Sequence, residues 1–162
     1  MPLCQVKVTK VFIDNETGVP IVLLQDLASH DTLPILIAPL EASLIAIELE
    51  GKKPIRPLTH DLIVNIIHEL SYFVESIVIT DLKNNIYYAV INIVSGNKKI
   101  QIDSRPSDAI AIALRTKSPI FVKRKVFVHT TGFKNSSQNI DKETLKEVLE
   151  DIELEDVGGK IM

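Results

Sequence analysis

Ile100-Gln101-Ile102-Asp103-Ser104-Arg105-Pro106-Ser107-Asp108-Ala109-Ile110-Ala111-Ile112-Ala113-Leu114 changes its period halfway along, and that change decides the fold. Ile100 and Ile102 alternate with Gln101 and Asp103, the pattern of a half-buried strand. From Ala109 onward the chain is apolar nearly all round a helix, so the helix belongs inside rather than on the surface. Between the two, Ser104 suits the N-cap, and Pro106 is tolerated in a first turn, where a backbone N–H has no helical partner. Asp108 falls in the same turn, where the partial positive charge of the helix end favours a carboxylate. Ala109 and Ala113 are small and four apart, which lets the helix press close on a sheet. Arg105 and Asp108 thus stand at the mouth of a buried helix, an unusual place for two opposite charges.

Working outward, this strand closes a meander. Phe73–Leu82, Ile86–Val94 and Lys98–Asp103 read as strands joined at Lys83-Asn84-Asn85 and Ser95-Gly96-Asn97, and the middle run is too apolar for an edge. A first meander precedes it. Gln5–Ile13 is a strand whose apolar phase slips from Val6 and Val8 to Val11 and Ile13, which predicts a bulge. Val19–Leu27 and Leu33–Ile37 complete it. Pro39 then opens a helix with Glu41 in its first turn and Gly51 past its end, its inward stripe being Ala42, Ile45, Ala46 and Leu49. After the stiff connector Lys53-Pro54-Ile55-Arg56-Pro57-Leu58, Thr59 caps a second helix that carries Leu62, Ile63, Ile66, Ile67 and Leu70 at helical spacing. Beyond the buried helix, Pro119–Val122 and Val126–Val128 read as short strands around a Lys123-Arg124-Lys125 turn. Residues 130–139 are polar, and 141–157 form an acidic amphipathic pattern with Leu145, Val148, Leu149 and Ile152 on one side. The predicted class is α+β: a mostly antiparallel or mixed sheet from two strand meanders, each followed by helices, plus a C-terminal amphipathic helix. Residues 1–129 form the predicted domain, and residues 130–162 a polar linker with an acidic helix on or beside it.

The 162 residues are 46% hydrophobic and 24% charged, a globular rather than a disordered composition. A net charge of −3 argues against holding nucleic acid by bulk electrostatics. The single cysteine, Cys4, excludes an internal disulfide and suits a reducing compartment. With no apolar run of membrane-spanning length and no leader pattern, the expectation is a cytoplasmic protein without a membrane partner.

Phosphate loops, Gly-x-Gly-x-x-Gly, zinc-spaced Cys/His clusters and Ser-centred elbows are all missing from the sequence. What remains is polar residues at helix mouths. Arg56, Thr59, His60 and Asp61 offer a guanidinium, free backbone N–H groups and an imidazole able to accept a proton, a set suited to phosphate. Read blandly, Thr59 caps, Asp61 answers the dipole and His60 is solvated. Asp103, Arg105, Ser107 and Asp108 could hold a hard cation through oxygen ligands, or activate water beside a cationic anchor. Equally, Arg105 could form only a salt bridge to Asp103 or Asp108 that fixes the corner. Glu41 could join either group or merely face its helix dipole.

Three stretches carry a family resemblance. Arg56-Pro57-Leu58-Thr59-His60-Asp61-Leu62, Asp103-Ser104-Arg105-Pro106-Ser107-Asp108-Ala109-Ile110-Ala111 and Ser118-Pro119-Ile120-Phe121-Val122 resemble the bifunctional nuclease domain family, with Leu33-Pro34-Ile35-Leu36-Ile37 and Glu41-Ala42 matching ahead of the first helix. The resemblance spans about Val6 to Val128, in the family's order, and the acidic ending is the kind that stand-alone bacterial members carry. It implies a nuclease acting on DNA, RNA or both. On that reading His60, Asp103 and Asp108 are catalytic candidates. Arg56, Thr59, Arg105 and Ser107 would bind substrate phosphate, and Asp103, Asp108 and Glu41 could hold Mg²⁺ or Mn²⁺. The alternative is a non-catalytic module that binds an anion or a partner; on either reading a homo-oligomer is expected. Catalysis requires the two helix mouths to meet within ~10 Å, since hydrogen-bond reach fails beyond that.

Overall fold

A computed structural model of the chain describes residues 2–128. Seven strands form one sheet in the order β3-β2-β1-β7-β4-β5-β6. The first meander is β1 (Leu3–Ile13), β2 (Pro20–Asp26) and β3 (Thr32–Leu36), and the second is β4 (Phe73–Lys83), β5 (Ile86–Ser95) and β6 (Lys98–Ser104). Both are antiparallel throughout. The fold class is α+β with a mixed sheet, because β7 (Ile120–Lys123) slots between the meanders, antiparallel to β1 and parallel to β4. The slipped phase in β1 is a register shift between Val8 and Lys10 against β2, so the extra residue is absorbed as a bulge while Val6 and Val11 both stay inward. The apolar runs read as central, β2 and β5, each lie between two strands.

Helices α1 (Pro39–Leu49), α2 (Thr59–Glu69) and α3 (Pro106–Thr116) cover the face that carries Ile77, Ile79, Ala89, Ile91 and Ile93. The other face is more polar, with Asn92 donating to Ser76 and Gln101 donating to Asn92, both at 3.0 Å. Such one-sided covering is the usual solution for antiparallel sheets. α3 is the middle helix, packed against α1, α2, β4 and β5. Ala109 through Ala113 are at most 1% exposed, as their all-round apolarity predicts. The two alanines leave no side chain to hold the helix off its neighbours.

Several local readings need correction. Residues Arg124–Val128 form a short helix, α4, rather than a turn and a strand. A three-residue apolar run carries too little pattern to separate the two, and buried Val126 and Phe127 serve a helix as well as a strand. Thr59 is not the cap of α2: Leu58 holds that position, and its N–H donates to Asp61 Oδ2 at 2.9 Å. Ser104 likewise gives way to Arg105 as the cap of α3, its hydroxyl donating to the Arg105 carbonyl at 2.9 Å. Pro39 and Pro106 do occupy first-turn positions, and Gly51 follows α1 at φ +69°, a left-handed conformation that suits glycine. On α2 the inward face is His60, Val64 and Ile67, while Leu62, Ile66 and Leu70 are more than half exposed. Leu49 of α1 is also exposed. The acidic pattern at 141–157 lies outside the described residues.

Candidate active site

Three of the helix mouths meet at one place. α1 brings Glu41, α2 brings His60, and α3 brings Arg105 and Asp108. Asp108 is the junction: its Oδ1 lies 2.9 Å from His60 Nε2, and its Oδ2 accepts from Arg105 Nε and Nη2, each at 3.1 Å. Arg105 Nη1 continues the chain to Glu41 Oε1 at 2.6 Å. The two mouths that catalysis requires to converge are therefore in direct hydrogen-bond contact.

Each link has a local cause. Glu41 sits at the third position of α1, where its Oε2 accepts from the Ala38 N–H at 2.8 Å and leaves Oε1 for Arg105. Asp108 holds the equivalent position in α3 but turns away from its own backbone, towards α2. An ionised carboxylate only accepts, so opposite Asp108 the Nε2 of His60 carries a hydrogen, and in the neutral form of the ring the lone pair then lies at Nδ1. His60 is 5% exposed, not solvated, and its Nδ1 is buried without a hydrogen-bond partner. Arg105 is the opposite case, with 67% of its side chain exposed. The hydrogen bond and charge of Asp108, followed by the charge of Glu41, raise the pKa of Arg105 above the ordinary arginine value and keep it protonated.

These residues line an open cavity of about 780 Å³. Thr59 and Asp103 also line it, and Ile63, Ile67, Tyr87, Ile91 and Ile102 are among its apolar lining. Asp103 is exposed on β6 and is not paired with Arg105. Ser107 is 6% exposed and does not line the cavity, and neither does Arg56, which is exposed on the connector before α2. Of the residues predicted for the site, Glu41, Thr59, His60, Asp103, Arg105 and Asp108 are thus brought together, and Arg56 and Ser107 are not.

The arrangement does not make a cation site from Asp103, Asp108 and Glu41. Glu41 and Asp108 both face the Arg105 guanidinium, which would have to leave before a divalent cation could approach them. Among the described residues, no group of three or more His, Cys, Asp or Glu side chains is placed to hold a metal.

One residue of the neighbourhood is not picked out by its sequence context. Arg115, in the last turn of α3, is 4% exposed; its Nε donates to Asp61 Oδ1 at 2.8 Å and lies 3.5 Å from Glu48 Oε1. Its Nη1 donates to the Ala111 carbonyl at 2.9 Å. It ties α3 to α2 and α1 one helix length behind the cavity. An arginine closing an apolar helix reads as a solvated end; only the packing of three helices around it shows otherwise.

The whole of this region falls inside a match to the bifunctional nuclease domain, which covers residues 22–134. The chain is 37% identical over 122 residues to an uncharacterised protein of Mycobacterium tuberculosis, covering 75% of this chain and 73% of that protein. It is 30% identical over 117 residues to bifunctional nuclease 1 of Oryza sativa subsp. japonica, covering 70% of this chain but 35% of the rice protein. No helix among the described residues is long and apolar enough to cross a membrane. With the match running over most of its length, the chain belongs to the bifunctional nuclease domain family.

Proposed function

We propose that the protein hydrolyses phosphodiester bonds in nucleic acid at the cavity shared by α1, α2 and α3. The observation that carries this reading is the His60–Asp108–Arg105 chain, an imidazole and a guanidinium held on the two oxygens of one carboxylate. Arg105, reaching solvent, is the phosphate anchor: its planar fork matches two phosphate oxygens, and the helix N-terminus behind it adds favourable dipole. His60 is the acid/base group, with Asp108 fixing its tautomer and stabilising the imidazolium formed in turnover. The lone pair at Nδ1 is closed off in the resting arrangement, so turnover requires the side chains around it to open enough to admit water or a phosphate oxygen. Asp103 also lines the cavity, and its role here is to orient that water. The bifunctional nuclease name of the rice relatives agrees with the substrate class.

A second reading has its own support. Arg105 is already compensated by Glu41 and Asp108, so the chain of charges can serve as a structural clamp or a weak anion site without turnover. Incubating purified protein with single-stranded DNA and RNA, in Mg²⁺, Mn²⁺ or EDTA, separates the two. Cleavage in any arm that vanishes in Arg105→Ala supports hydrolysis. Binding of labelled oligonucleotide without cleavage in every arm supports the clamp.

A further inference from the structure

Hydrolysis by His60, Asp108 and Arg105 uses only the charged part of the cavity. It leaves unused an uncharged wall to which α2 contributes Ile63, β5 contributes Tyr87 and Ile91, and β6 contributes Ile102. Ile102 is 39% exposed although Ile91, opposite it on β5, is buried.

Strand register sets this wall beside the guanidinium. Ala89 of β5 lies opposite Ser104, the last residue of β6. Tyr87 is two residues from Ala89 and so on the same face of β5, which brings it level with the turn where β6 gives way to Arg105 and α3. Its hydroxyl reaches the Pro34 carbonyl of β3 at 3.4 Å, and its ring packs on the core. Burial raises the Tyr87 pKa above the ordinary value of 10.0, so the phenol stays neutral and adds no charge to the wall. Arg105, by contrast, is exposed and stays protonated. The volume of about 780 Å³ falls within the ~300–1,000 Å³ of ordinary small-molecule sites.

An uncharged wall with a cation beside it matches the two halves of a nucleotide. The base has apolar faces that stack on aromatic and apolar side chains, and the phosphate joined to it through the sugar is an anion suited to a guanidinium. Given Arg105 as the phosphate anchor of the proposed hydrolysis, a role on which this assignment rests, we propose that one unstacked base lies against Ile63, Tyr87, Ile91 and Ile102. Tyr87 and Ile102 are then specificity-determining residues that read the presence of a base. A base inside a duplex keeps both faces on its neighbours, so the site takes nucleotides that are unpaired or flipped out.

Calorimetric titration of the full chain with adenosine 5′-monophosphate and with ribose 5-phosphate, which keeps the sugar and phosphate but lacks the base, tests this. The nucleotide should bind about 10-fold or more tightly than ribose 5-phosphate. Tyr87→Ala and Ile102→Ser should each weaken nucleotide binding and leave ribose 5-phosphate binding unchanged, whereas Arg105→Ala should weaken both. Tyr87→Phe, which keeps the ring, should bind as the unsubstituted protein does. Equal affinity for the two ligands, binding of neither, or nucleotide binding indifferent to both wall substitutions overturns the base site. Should Tyr87→Ala fail to fold by circular dichroism, Ile102→Ser on the edge strand decides alone. Equilibrium binding needs no turnover, so the two proposals fail separately. Nucleotide binding at the wall without cleavage of any oligonucleotide supports the base site and removes the hydrolysis; cleavage without preference for the base-bearing ligand removes the base site alone.

Discussion

Asp108 holds three nitrogens of two residues, His60 and Arg105, on its two oxygens, and the arginines at the two ends of α3 differ in what they stand to lose. Arg105 is 67% exposed, so its pairs with Asp108 and Glu41 are screened, and Arg105→Ala should cost only about 1 kcal/mol of stability. If it anchors phosphate, the same substitution should lower cleavage by about 10²-fold or more, a split that thermal unfolding and rate measurements on one sample would reveal. Arg115 is 4% exposed and leaves Asp61 and Glu48 half-buried without a counter-charge when removed. Arg115→Met should therefore cost about 3–5 kcal/mol, seen as an unfolding midpoint lower by about 10 °C or more. Asp26 supplies a pH dependence. The Ala28 N–H above all, with help from Ser29, lowers its pKa below the ordinary value of 3.8 against the cost of burial. A lowered folded-state value means that ionised Asp26 stabilises the fold above about pH 4, and that this contribution is lost as pH falls from there through the lowered value. Asp26→Asn should flatten that part of the acid limb in urea titrations. At this scale the sequence is partly legible. Asp108 and Arg105 announce themselves as charges at the mouth of an apolar helix. The burial of His60 was readable too, since His60, Val64 and Ile67 keep the i, i+4, i+7 spacing of an inward face; the leucine-rich stripe beside it diverts attention. Arg115 has no local signal, because its partners lie on two other helices.

At the scale of elements, α3 is the piece on which the others depend. It touches both neighbouring helices and two strands, and Ala109 is 0% exposed where the chain must pack closely. Ala109→Leu should destabilise by about 1–3 kcal/mol through overpacking and shift the mouth carrying Asp108. The loss should appear as a lower denaturant midpoint with an unchanged slope. Strand-to-helix transitions were legible wherever the period changes over many residues, as at Asp103–Ala109. They were not legible at Arg124–Val128, where three apolar residues after a basic triplet satisfy a strand and a helix equally. The cap of α2 moved by one residue for a chemical reason: the aspartate at the third position reaches back to the Leu58 N–H, so the cap side chain itself need not bond.

Across the whole molecule, two antiparallel meanders can be read from alternation and turn residues, but their joining cannot. β7 pairs in parallel with β4 across more than forty intervening residues, Ile77 opposite Ile120 and Ile79 opposite Val122, and nothing local to either strand specifies that partner. α3, packed on β4 and β5 beside this junction and against both α1 and α2, brings the three helix mouths onto one cavity. The central claim is that the convergence is catalytic, and His60 tests it most directly. The measurement is the single-turnover cleavage rate of a labelled single-stranded oligonucleotide by the unsubstituted protein and by His60→Gln, each shown folded by circular dichroism. The account predicts a fall of about 10²-fold or more, the range for a lost acid/base group. Equal rates in the two proteins would contradict it and place the hydrolysis elsewhere.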